Sequence, residues 1–468
     1  MRAAVAAVLG LPLPLWAHGF DERHELPAPL AHFIIGAVFA VALTFVIALL
    51  FARRPAAGVG EPSGAMRGSM RLPAGLVVAL RSVSLLVFLV TVAAGLAGSA
   101  DPVMNLAPTL IWIGWWVGLS LLAAFVADLW PLLDPWRTLF DGADALARSL
   151  GRAQGIVLDW RWPGWLGAWP AVLLLLVWSW CEVVFPLAAV PLRLGVAALA
   201  WTAITLLGMG CFGRERWQRH GDVFAIFFAL LGRMAPLALD TARRRLVWRA
   251  PGSAVLDSPH AVLPAGGVGF VLAMLSTVLF DGLHAGQAWL WFEAGLARVL
   301  RTPAVDGIAA GTLGLLLVWL LFLAAYAVAC SITAALAGRS AAGIARSFAP
   351  TLLPIAVGYN VAHNFSSLVE QGQNLLPLAS DPFGWGWNLF GTAQLHSRSG
   401  LVDARMNWHV AISMVVAGHC AGVWLAHRLA LREQLPLRAG LPLMLLMLAY
   451  TAASLFVIAE PIVRYQPP

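Results

Sequence analysis

Charge is scarce in this chain, and lysine is missing altogether. Only 11% of the 468 residues are charged, and the 30 basic side chains are all arginine. Without lysine there is no Schiff-base nucleophile and no phosphate-binding loop built on Gly-Lys-Ser/Thr. Cysteine is nearly as rare: Cys181, Cys211, Cys330 and Cys420 all lie in or beside apolar stretches, and none forms a Cys-x-x-Cys pair. That argues against a disulfide framework and against a thiolate zinc site. There is no internal repeat, and the longest polar stretches, 213–260 and 370–403, are too short to make a soluble domain.

What is abundant is apolar surface, at 60% of the residues. Soluble domains carry about a quarter charged residues and stay near half apolar, so this surplus must face lipid. The expected fold is all-α, a polytopic membrane helix bundle. Runs of the length needed to cross about 30 Å of hydrocarbon recur ten times, over 28–52, 76–98, 107–129, 165–190, 193–212, 261–281, 307–329, 347–369, 405–430 and 439–460. The stretch 222–236 is too short to span and is expected to lie at the interface or to re-enter. Ahead of them Met1-Arg2, an apolar run to Trp16 and a small Ala17 have the parts of a cleavable signal peptide. The domains expected are therefore a signal peptide over 1–17 and a single transmembrane helical domain over 18–468, with His18 as the mature N-terminus.

Arginine alone sets the expected direction, because basic loops stay on the cytoplasmic side. Setting Arg2 aside, an external N-terminus puts 22 arginines inside and 7 outside. Both termini are thus expected on the exoplasmic side of the membrane. The net charge of +7 follows from runs such as Arg243-Arg244-Arg245, which would hold orientation against anionic headgroups and give no reason to expect nucleic acid. Most of the 22 tryptophans are expected as interfacial anchors, among them Trp130, Trp136, Trp162, Trp165, Trp169, Trp217 and Trp248. Trp115, Trp116, Trp178 and Trp180 lie deeper, to line a cavity or to pack helices.

Ionisable groups inside a membrane are costly and mark functional candidates. Glu182 reads as the only carboxylate well inside a span. Eight of the 11 histidines, His18, His24, His32, His284, His363, His396, His409 and His419, fall on the outer side or near the bilayer middle. One-sided histidine suggests an exoplasmic metal or proton-handling site. His409 and His419 are ten residues apart, about 15 Å of rise and about 80° of rotation, so on a continuous helix they cannot share an ion. His363 and His409 match in depth if their helices touch. A mature His18 would add its free amine and ring nitrogen, a bidentate ligand suited to copper or zinc.

The same positions carry a resemblance. Gly358-Tyr359-Asn360-Val361-Ala362-His363-Asn364-Phe365-Ser366-Ser367-Leu368 with Glu370-Gln371-Gly372-Gln373, then Ser380-Asp381-Pro382, Leu389-Phe390-Gly391-Thr392-Ala393, Val416-Ala417-Gly418-His419, Leu425-Ala426-His427, Asp134-Pro135-Trp136-Arg137-Thr138 and the opening Ala17-His18-Gly19 resemble a bacterial membrane-protein family of fenitrothion hydrolases. Members often have an aromatic residue where this chain has Asn364. The resemblance implies hydrolysis of an organophosphorus triester at the membrane. Such chemistry needs a water nucleophile, a Lewis acid at the phosphoryl group and an apolar pocket for the leaving group. On that expectation a divalent metal ion, copper or zinc, is held by His18, His363 and one of His409 and His419, with Glu182 or Glu370 as the catalytic base. The partners expected are the bilayer and a small apolar substrate, and Trp178, Trp180, Trp385 and Trp387 would supply an apolar wall. The competing reading is a metal- or proton-linked transporter or the membrane subunit of a redox complex.

Overall fold

A computed structural model of the chain describes residues 25–51, 68–186, 188–256, 263–302 and 305–462. The expected signal peptide, its cleavage site and His18 lie outside these residues. In chain order the elements are α1 (Leu30–Phe51), β1 (Ser69–Arg71), α2 (Ala74–Ala97), α3 (Leu106–Phe125), α4 (Pro135–Ser149), α5 (Trp169–Val183), α6 (Pro191–Phe212) and α7 (Val223–Gly232). Then follow β2 (Leu237–Asp240), β3 (Arg245–Trp248), α8 (Gly267–His284), α9 (Gln287–Leu300), α10 (Gly307–Ala337), α11 (Leu353–Gln371), α12 (Ala404–Arg432) and α13 (Leu441–Ala459), with short helical turns between them.

Nine of the described helices are long and apolar enough to cross a membrane, so the chain is a multi-pass membrane protein with an all-α bundle. Each of the ten expected spans has a helix, but the one expected over 165–190 is α5, only 15 residues long. It starts where Pro170 can take the first turn without a missing donor. The stretch from 222 folds as the ten-residue α7, capped by Asp222, whose side chain accepts from the amides of Phe224 and Ala225. Its Phe224, Phe227 and Phe228 are buried among helices.

Those phenylalanines are the centre of an aromatic core. The Trp115, Trp136 and Trp178 rings all lie within 6 Å of Phe224, and Trp136 stacks on it at 16°. Trp130, Trp136 and Trp217, expected as interfacial anchors, are instead buried. The reason is tertiary: α7 turns into the bundle and offers Trp130 and Trp136 an apolar partner, while Trp217 packs on Trp162 and against Gly208. Trp165, Trp169 and Trp248 stay exposed, as anchors should. Trp115 and Trp116 sit in a π-helical stretch, Leu110–Gly118, where the wider turn brings successive large rings toward α7.

Two seams position the site. Helices α11 and α12 run antiparallel through glycines: a Cβ on Gly418 would stand 2.6 Å from the Pro354 carbonyl oxygen, and one on Gly422 would stand 3.1 Å from that of Thr351. Such close backbone approach is what small residues permit between membrane helices. On the second seam, Gly282 of α8 leaves room for α11, since a Cβ there would lie 3.1 Å from the Tyr359 hydroxyl and 2.9 Å from Val457 Cγ1. A three-stranded antiparallel sheet, ordered β1-β3-β2, ties together the arginine-rich loops at one end.

Candidate functional site

The chemistry gathers at the arginine-poor end of α5, α8 and α11. His363 on α11 meets Asp281 on α8, with Nε2 and Oδ2 2.7 Å apart. That is the length of a charge-assisted hydrogen bond. The His363 side chain is only 8% exposed and that of Asp281 28%, so the pair is largely withdrawn from solvent. Tyr359, one turn earlier on α11, lies with its ring nearly parallel to that of His363, the centroids 6.2 Å apart. Its buried hydroxyl has no hydrogen-bond partner among the described residues.

Glu182, at the end of α5, joins from a third helix. It lies near enough to Asp281 for the two charges to interact. One close pair, His363 with Asp281, is thus coupled electrostatically to a carboxylate on a third helix. Beside them, Tyr359 also lines a narrow apolar crevice with Val278, Leu279, Phe322, Ile355 and Tyr450. His284, one turn after Asp281 on α8, packs against Trp289 at 4.7 Å between ring centroids.

Asp281 is the last residue of the span expected over 261–281, where a carboxylate would simply meet water, and so Glu182 stands out as the carboxylate inside a span. The helix in fact runs on to His284, which places Asp281 inside the bundle. The spacing Asp281-x-x-His284 was the available signal, because residues three apart share a helix face.

The other candidates are spread out. Glu370 sits about 10 Å further along α11 than His363, where its carboxylate accepts the Gly400 amide at 3.2 Å and holds the following loop. His409 is exposed on α12, its Nδ1 2.7 Å from the Arg405 carbonyl oxygen. The α11–α12 register puts His409 level with His363, as expected. Yet Gly358 of α11 meets the Met414 backbone of α12, and each histidine lies five residues from that contact, roughly 140° around its helix, so the two point away from it. His419 is buried, with Nδ1 2.8 Å from the Val415 carbonyl oxygen, and its Nε2 has no partner among the described residues. His32 and His396 are exposed.

Nor do the four proposed wall tryptophans share a surface. Trp178 belongs to the aromatic core, and Trp180 donates to Thr312 Oγ1 at 2.8 Å. Trp385 and Trp387 group with Phe383 in the outer loop and remain exposed. Among the described residues no group of three or more His, Cys, Asp or Glu side chains stands close enough to hold a metal ion. The described donors therefore do not by themselves fit a divalent ion. No family model matches the chain, and neither a curated protein nor a solved structure matches it.

Proposed function

We propose that the protein is a membrane-embedded hydrolase of small apolar organophosphorus triesters such as fenitrothion, with His363 as general base and Asp281 as the residue that orients it. The supporting observation is the 2.7 Å contact between His363 Nε2 and Asp281 Oδ2 inside the bundle. A carboxylate on one ring nitrogen fixes the tautomer and steadies the imidazolium formed when the other takes a proton. In the reaction, the oxygen of a water forms a new bond to phosphorus as its proton passes to His363. The bond from phosphorus to the aryl oxygen breaks, and the nitrophenolate leaves with the electron pair.

The motif Gly358 to Leu368, which resembles the fenitrothion hydrolases, contains both Tyr359 and His363, which supports the same reading. An apolar substrate would reach the pair from lipid, alongside the crevice at Tyr359. A divalent ion at His18, with the amine and ring of a mature N-terminus, belongs to this proposal as a separate element. No step above runs through it. The setting proposed is the bacterial inner membrane, with both termini exoplasmic.

The test is turnover of a nitrophenyl phosphotriester by the purified protein, with and without chelator. His363→Ala is expected to lower kcat by about 10²–10⁴-fold, the usual worth of a general base, and Asp281→Asn to lower it less. No turnover in either condition would overturn the proposal. A second reading, proton-linked transport, is favoured by one feature that hydrolysis does not require: Glu182 lies within charge range of Asp281, as in a chain of proton carriers. Proton uptake into proteoliposomes that disappears in Glu182→Gln would select it.

A further inference from the structure

At the opposite, arginine-rich end, three arginines from separate elements converge on one carboxylate. Arg81 of α2 lies 3.6 Å from Asp141 of α4, Arg137 of α4 lies 3.9 Å from it, and Arg214, just after α6, contacts it most closely. A planar guanidinium has five N–H donors, whereas a carboxylate has about four lone-pair positions. Donors therefore far outnumber acceptors. The buried Nε atoms of Arg81, Arg137 and Arg214 all have no hydrogen-bond partner among the described residues.

The nearby acids do not close the gap. Glu215 is 3.9 Å from Arg214 but is 73% exposed and is shared with Arg219 at 3.8 Å. Asp134 is already engaged, one oxygen accepting the Arg137 amide at 3.0 Å and the other the Gln218 amide at 2.8 Å. Burial and the neighbouring charges of Arg214 and Arg81 push the Arg137 guanidinium below its ordinary value. The three side chains remain 17–29% exposed, so they are reachable from outside. Arg81 also lies about 10 Å inside a helix long enough to span the membrane, from where a long basic side chain reaches toward the headgroups.

We infer that Arg81, Arg137 and Arg214 form a binding site for a phosphate group, taken either from an anionic phospholipid headgroup or from free phosphate. Forked guanidiniums suit phosphate oxygens, which they can grip in pairs. Basic recesses between membrane helices hold anionic headgroups on the same grounds.

The experiment is native mass spectrometry of the full chain released from micelles containing equal phosphatidylglycerol and phosphatidylcholine. Wild type is expected to retain phosphatidylglycerol preferentially. Arg81→Gln and Arg214→Gln should each lower that retention about fivefold, the worth of one arginine near a charged surface. Asp141→Asn, which removes the competing carboxylate, should raise retention, an effect that misfolding cannot mimic. Inorganic phosphate at millimolar concentration separates the sources. Displacement of the lipid assigns the site to free phosphate, and persistence of the lipid assigns it to the headgroup. Equal retention of the two lipids together with no bound phosphate, or arginine variants that bind like wild type, would overturn the inference.

Discussion

Breaking the contact between Asp281 and His363 tests the site without assuming its function. The pair spans two helices at 2.7 Å, and both side chains are mostly buried. A hydrogen bond to a charged group contributes about 1.5–3 kcal/mol, and a partner left buried and unpaired costs about 1–3 kcal/mol more. Asp281→Asn and His363→Gln should each destabilise the fold by about 2–3 kcal/mol. The double variant should lose far less than the sum, because the second change removes a group that has already lost this contact. The expected coupling is about 1.5–3 kcal/mol. Reversible unfolding in mixed micelles, followed by tryptophan fluorescence, gives the three differences, and the 22 tryptophans provide the signal. Coupling below about 0.5 kcal/mol, the range of independent sites, would refute a charge-assisted hydrogen bond between α8 and α11.

Three further outcomes are expected. Gly418→Ala should cost about 1–3 kcal/mol, because its Cβ, 2.6 Å from the Pro354 carbonyl oxygen, must push α11 and α12 apart; Gly36→Ala, with nothing within 4 Å, should be neutral or slightly stabilising in the same melt. Burial and the Asp134 carboxylate raise Asp222 from 3.8 to about 7, so the folded state holds that proton more tightly than the unfolded chain. Stability is then greatest below about pH 4 and falls as pH rises through about 7, by at most about 4 kcal/mol. Asp222→Asn keeps the oxygen that caps α7 and should flatten this dependence, melting above wild type at pH 8 and level with it near pH 4. For the direction of insertion, cysteines placed at Ser397 and Arg339 in a background lacking the native four should differ. An impermeant maleimide applied to intact cells should label the first and not the second, and the reverse pattern would invert the topology.

Much of this protein is one-dimensional in origin. The nine spans follow from apolar runs of bilayer length, and the capping of α7 and α12 by Asp222 and Asp403 follows from short acidic side chains placed just ahead of apolar stretches. The depth match of His363 with His409 was likewise legible, since rise per residue is constant along a helix. Which way those residues point was not. A helix exposes a residue to one neighbour only, and the neighbour of His363 turned out to be Asp281, 82 positions away. Trp130 and Trp136 have the sequence setting of interfacial anchors, yet α7 folds inward and buries them.

The sequence by itself determined that the chain lives in a bilayer, where nine of its ten expected spans run and where its positive charge accumulates. Hydrophobicity and charge act residue by residue, so their sum needs no fold. Only the tertiary structure decided that His363 meets Asp281 within charge range of Glu182 at one end of the bundle, and that Arg81, Arg137 and Arg214 crowd a single carboxylate at the other. Both arrangements depend on which helices touch and at what rotation, and that is set by close-packed seams such as the glycines of α8, α11 and α12.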